Sequence, residues 1–240
     1  MSNVKNVQSL EQLLGICTGL GGSYNPGNQN LQVKAMTTLL SQARNVLSEV
    51  HSARTGYEIA TNHREDAFSG LKPLTTRIIS TLLAGGAMPQ TVADARTMSR
   101  KIFGKRISQD RAPLPAEGEE KPKTKRRARE MDYESLTSHF AKLLETVSAS
   151  PRYKTNEQDL SVDALKKQLS ALHQHNSSVI EATVAWKNAR IKRDEILYSL
   201  DRNLYDSGQR AKQYVKSAFG NQSEVYRTAS KIRFTRPQMR

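Results

Sequence analysis

From Leu31 onward the apolar positions Val33, Met36, Leu39, Leu40, Ala43, Val46, Leu47 and Val50 recur at steps of three and four. That is the period of one helical face, and the alternation of a strand fits it poorly. No proline interrupts the pattern before Pro73, so the helix can run on through Ala53, Tyr57, Ala60 and Ala67. Pro73 fits the start of a further helix carrying Leu74, Ile78, Ile79, Leu82 and Leu83, which Gly85-Gly86 stops. Val92 to Ile102 reads as a last short helix, and Leu10 to Ile16 as a short apolar segment ahead of a loop forced by Gly19, Gly21, Gly22, Pro26 and Gly27.

The second half repeats this order. Tyr133, Leu136, Phe140, Leu143, Leu144 and Val147 form one helical stripe, and Asp159 or Ser161 is placed to cap a long helix bearing Leu165, Leu169, Leu172, Val179, Ile180, Ala182 and Val184. The charged stretch that follows keeps Ile191, Ile196, Leu197, Leu200 and Leu204 near helical spacing, and Ala211, Tyr214, Val215, Ala218 and Phe219 make another helix before Gly220. Individual residues repeat as well as the pattern. Tyr24, Gln29, Leu31, Val33, Ala35, Leu40 and Ser41 return 129 positions later as Tyr153, Gln158, Leu160, Val162, Ala164, Leu169 and Ser170. Arg96-Thr97 and Lys101-Ile102 likewise answer to Arg227-Thr228 and Lys231-Ile232. Such self-similarity implies two like folded units. The expectation is an all-α protein with helical modules at 1–104 and 132–235.

Between them, residues 105–131 lack periodicity, carry three prolines and are dense in charge. Such a segment buries too little apolar area to offset chain entropy, and is expected to be a flexible linker. Residues 236–240 are expected to form a loose basic tail. The N-terminus is a poor signal peptide, and no uninterrupted apolar run reaches the roughly 18 residues of a membrane span. A soluble, cytoplasmic protein is expected. Cys17 is the only cysteine, so the chain has no internal disulfide and no cysteine-built zinc site. Its apolar neighbours make it a small core hydrophobe.

The formal charge is +14, and 25% of residues are charged. The excess favours polyanionic partners. Lys121, Lys123, Lys125, Arg126, Arg127 and Arg129 on the linker supply charge density without fixed geometry, which suffices to follow a phosphate backbone. Arg227, Lys231, Arg233, Arg236 and Arg240 form a second cluster, joined by Tyr226 and Phe234. Those aromatics are placed either to stack on exposed bases or to anchor the tail to the bundle. Trp186, at the position matching Tyr57, reads as a residue that closes a core.

Other chemistry finds little support. His173 and His175 project to opposite sides of one helix, and His51 and His63 lie far apart, so no metal site is expected. The loop GLGGSYNPGN lacks the Lys-Ser/Thr of a phosphate cradle. No Ser/His/Asp, Cys/His or paired-carboxylate arrangement stands out. Arg190 with Asp194 is helix-spaced and reads as a solvated face.

Arg193, Asp194, Leu197, Tyr198, Tyr214, Val215, Lys216, Ser217, Phe219, Gly220, Ser223, Tyr226, Ile232 and Phe234 follow a "RdxxLY…YVKsxFGxxSxxYxxxxxixF" pattern. In this the chain resembles the C-terminal part of helical proteins of Bacteroidota that carry no assigned activity. The resemblance covers mainly residues 155–235. It is fainter in the first half, where the FG pair is replaced by Gly85-Gly86 and the YVK triplet is lost. It implies a soluble duplicated bundle and supplies no activity to carry over.

The expectation is therefore a non-enzymatic protein without cofactor or metal, binding DNA or RNA without sequence preference, on a chromosome or ribosome. The alternative is a structural protein whose helices and basic tails join copies of itself.

Overall fold

The computed structural model describes residues 2–104, 132–199 and 201–236. The linker 105–131 lies outside the described residues, as do 237–240 of the basic tail. All the regular structure described is helical: α1 Ser2–Gly19, α2 Val33–Ser69, α3 Leu71–Ala84, α4 Pro89–Phe103, α5 Tyr133–Ser148, α6 Val162–Asp194, α7 Leu204–Phe219 and α8 Glu224–Lys231. The all-α expectation is met. A π-turn at Glu195–Ser199 follows α6 directly, and single 3₁₀ turns at Gln29–Leu31 and Gln158–Leu160 precede the two long helices. No described helix is long and apolar enough to cross a membrane.

Local chemistry sets the boundaries. The side chains of Asp132, Asn203 and Ser223 accept hydrogen bonds from the backbone N–H groups of Ser135, Asp206 and Tyr226, capping α5, α7 and α8. Ser161, rather than Asp159, caps α6 by accepting from Ala164 N–H. Pro89 opens α4, where its missing N–H costs nothing, and Gly104 closes it at φ +68°.

At 37 and 33 residues, α2 and α6 are rods of about 55 and 50 Å. α2 carries Met36 and Leu40 in one core and Phe68 in another, and α6 carries Leu165 and Leu172 in one and leads into the π-turn whose Leu197 lies in the other. The compact units consequently cut across chain order. One comprises residues 1–57 with 182–240, and the other comprises 58–181. Division of the chain at 104 and 132 is the expectation from the sequence, whereas the contacts group its residues across those bounds.

In the unit built from both chain ends, Leu10, Leu13 and Cys17 of α1, Met36 and Leu40 of α2, and Ala211 and Val215 of α7 share one core. Cys17 is fully buried, and burial pushes its thiol pKa up. Tyr24 donates to the Leu31 carbonyl at 2.9 Å. In the 58–181 unit, Leu71, Ile78 and Leu82 of α3 meet Ile102 of α4, Phe140 and Leu143 of α5, and Leu165 and Leu172 of α6. There Tyr153 donates to the Leu160 carbonyl at 2.8 Å. Phe68 meets Tyr133 edge-on at 4.8 Å, and Arg64 lies 4.0 Å over the Tyr133 ring.

The apolar stripe on α6 is not where its aliphatic residues suggest. Ile180, Val184 and Ile191 are 63, 50 and 57% exposed. The covered face of that stretch instead carries Val179, Ala182, Thr183, Trp186, Ala189 and Arg193. Trp186 stacks on Tyr57 at 5.3 Å and is half-buried.

Gly85, at the end of α3, has the Arg152 carbonyl oxygen well inside van der Waals contact of the place where a Cβ would stand. Gly85→Ala forces the α5–α6 connection outward, and is expected to lower stability by about 1–3 kcal/mol. Gly22→Ala, with open space at that position, is expected to stay within about 0.5 kcal/mol. Chemical denaturation of both variants checks the contrast.

Candidate nucleic-acid interface

Of the cationic residues singled out by sequence, Lys121, Lys123, Lys125, Arg126, Arg127, Arg129 and Arg240 lie outside the described residues. The structure places the other four, Arg227, Lys231, Arg233 and Arg236, on α8 and the extended segment after it.

That segment is held in a groove between α1 and α7. Ile232 and Phe234 are 9% exposed, whereas Lys231, Arg233 and Thr235 face solvent. This two-residue alternation follows from an extended backbone with one face on a core. Polar recognition falls on the tail's main chain. Asn6, fully buried on α1, donates from Nδ2 to the Thr235 carbonyl at 2.7 Å and accepts the Thr235 N–H on Oδ1 at 2.9 Å. Its other Nδ2 proton goes to the Tyr198 hydroxyl at 3.0 Å. Every polar atom of this buried amide is thus matched. Ser9, one turn along, donates to the Arg233 carbonyl at 2.7 Å.

Along α7 the register is equally regular. Lys212 donates to the Ile232 carbonyl at 2.9 Å, and burial lowers its ammonium pKa. Lys216 stands 5.8 Å over the Tyr226 ring. Gly208 faces Phe234 so closely that a Cβ there would lie 2.5 Å from the ring's Cζ. Glycine inside a helix costs about 1 kcal/mol relative to alanine. Here it gives the Phe234 ring room to reach α7. Positions fall along the tail as they rise along α1 and α7, so the tail runs antiparallel to both.

Phe234 is therefore an anchor, and base stacking is closed to it; Tyr226 is half-buried. Arg236 turns its guanidinium back onto the protein. It donates to the Tyr198 carbonyl at 3.2 Å and lies 5.8 Å over the Tyr205 ring. The π-turn makes this possible by burying Tyr198, whose hydroxyl donates to Asn3 Oδ1 at 2.6 Å. Arg227 donates to Gln222 and remains exposed, as do Lys231 and Arg233. All four are exposed, and Arg236 alone sets its guanidinium on a main-chain carbonyl and beside a ring.

Sequence inspection passed over Arg210 and Lys216, both exposed on α7 of the same unit. The contacts also draw a charge boundary that chain order hides. The unit of residues 1–57 and 182–240 contains seventeen Lys/Arg against seven Asp/Glu, a net +10. Residues 58–104 and 132–181, the described part of the other unit, contain eleven of each.

Candidate catalytic geometry is sparse. Among the described residues no three His, Cys, Asp or Glu side chains gather as metal ligands. Asp194 pairs with the adjacent Arg193 at 2.7 Å, not with Arg190, which lies 5.6 Å from the Trp186 ring centroid. A cleft of about 480 Å³ in the 58–181 unit is lined by Met88, Thr91, Asp94, Thr146, Ala149, Ser150, Pro151 and Arg152. The chain matches no family model, no curated protein and no solved structure.

Asn6→Ala leaves the Thr235 carbonyl and N–H without their partners, which costs about 2 kcal/mol. Tryptic cleavage after Arg233 is expected to accelerate by at least tenfold in that variant. Timed proteolysis of the folded protein followed by mass spectrometry measures it.

Proposed function

We propose that this is a non-enzymatic, nucleic-acid-binding protein whose affinity rests on backbone charge. The observation that carries the reading is the segregation of charge: a surplus of ten falls on one unit, against a surplus of four on residues 58–181, all of it in the linker. A surplus spread evenly serves solubility. One gathered on a single unit raises the local potential, steers a polyanion to it and releases counterions on contact. The linker cations, from Lys121 to Arg129, add a second source of charge. Nothing in this reading calls for a cofactor or a base-specific pocket, and it places the protein in the cytoplasm, on a chromosome or ribosome.

The same proposal takes the two halves as copies of one module, in line with the likeness to Bacteroidota helical proteins. The Tyr24–Leu31 and Tyr153–Leu160 hydrogen bonds support it, being the same bond at positions 129 apart. Tyr57 and Trp186 are also 129 apart, and they stack on one another, so equivalent positions of the two copies meet.

A self-assembling role has one specific observation in its favour. Ile180, Val184 and Ile191 are exposed and lie within about 40° of one another on α6, since each residue turns the helix by about 100°. Such a stripe suits a second helical surface.

Electrophoretic mobility shifts over a salt series separate the two readings. A backbone binder is expected to lose about 10³-fold or more in affinity between 50 and 200 mM salt when it neutralises six or more phosphates. Absence of a shift at low salt rejects this proposal. Assembly through the exposed α6 stripe is read separately by light scattering, in which Val184→Asp is expected to abolish any concentration-dependent growth in mass.

A further inference from the structure

We propose that Arg227, Lys231 and Arg233 form a preorganised rail for one strand of sugar–phosphate backbone, held in line by the seating of Phe234 against Gly208. The inference rests on the nucleic-acid reading and locates its contact.

Spacing is the first support. Arg227 and Lys231 are one turn apart on α8, with Cβ atoms about 6 Å from each other. Lys231 and Arg233 flank the buried Ile232 on extended backbone, which sets them about 6.6 Å apart. All three side chains are exposed. The step is on the scale of neighbouring phosphates in a strand that rises about 3.4 Å per nucleotide while winding about its axis.

Rigidity is the second. A flexible basic tail would neutralise phosphates only after losing its own chain entropy. This tail has been ordered beforehand by bonds to its main chain from Asn6, Ser9 and Lys212. Those bonds leave the Lys231 and Arg233 side chains outward. Arg236, whose guanidinium is engaged by Tyr198 and Tyr205, belongs to the anchoring and not to the rail. Gly208 is the critical position because it is uncharged and Phe234 covers it, yet a methyl group there displaces the ring.

The test uses the full chain and a labelled 20-nucleotide single strand, with affinity followed by fluorescence anisotropy across a salt series. Arg227→Ala, Lys231→Ala and Arg233→Ala are each expected to reduce the slope of log affinity against log salt by about 0.7, the value for one phosphate of a single strand. Gly208→Ala removes no charge and favours the α7 helix. It is expected to free the tail, seen as faster tryptic cleavage after Arg233, and to weaken binding at least fivefold with a shallower slope. Phe234→Ala gives the same reading from the other side of the contact.

The rail is overturned if tail-freed Gly208→Ala and Phe234→Ala proteins bind with wild-type affinity and slope. It is also overturned if only combined Lys123, Lys125, Arg126 and Arg127→Ala changes matter, a result that keeps nucleic-acid binding and assigns it to the linker. Failure of the wild-type chain to bind at low salt removes the nucleic-acid reading itself.

Discussion

The architecture depends on two uninterrupted helices that are longer than any core they help to build. α2 supplies Met36 and Leu40 to one core and Phe68 to the other, while α6 supplies Leu165 and Leu172 to the second and leads into the π-turn whose Leu197 and Tyr198 lie in the first. Each core is in turn completed by helices from both halves of the chain. The distribution of charge follows from this partition. Residues 182–240 bring thirteen Lys/Arg and five Asp/Glu into the unit that also holds 1–57. The acid-rich start of the second half goes to the other unit. Two halves that each mix basic and acidic stretches thereby become one unit with a surplus of ten and another whose described part is balanced.

Within the basic unit, exposed ion pairs such as Lys192 with Glu49 at 2.8 Å contribute little, since exposed pairs are worth at most about 1 kcal/mol. Its order near the chain ends comes from buried amides and aromatics. Asn6 works because its three polar contacts are satisfied together, two of them by the main chain of a single residue, Thr235. Recognition of main chain leaves tail side chains with other work. Two fill the core, and those between them are presented to solvent.

Much of this was legible in the sequence because helix length and punctuation depend on local residues. Pro73, Gly85, Ser161 and Gly220 mark helix ends through their own backbone preferences, and the structure ends or begins helices at or near each. The covered face of α6 was not legible. Ile180, Val184 and Ile191 outscore Ala182, Thr183 and Ala189 in hydrophobicity, yet the covered face is the one that carries Trp186, which stacks on Tyr57. The tail was half legible. Alternation in Ile232-Arg233-Phe234 admits either an anchored or a base-stacking aromatic, and Gly208, twenty-six positions away, decides for the anchor. Arg236 looked like its neighbours because nothing local reveals the carbonyl of Tyr198.

The joining of α1 to residues 232–236 also sets the order of assembly on a chain that emerges from its N-terminus. The Asn6–Thr235 bonds close a loop of 229 residues, whereas Arg77 and Asp159 in the other unit are 82 apart. Residues 58–181 are contiguous and present together well before residues 232–236 are made. The helix that carries Asn6 shares a core with Met36 and Leu40 of α2, which are made early, but its bonds to Thr235 must wait. Loss of residues 232–236 therefore falls on the beginning of the chain, where it leaves Asn6 and Ser9 of α1 without their main-chain partners.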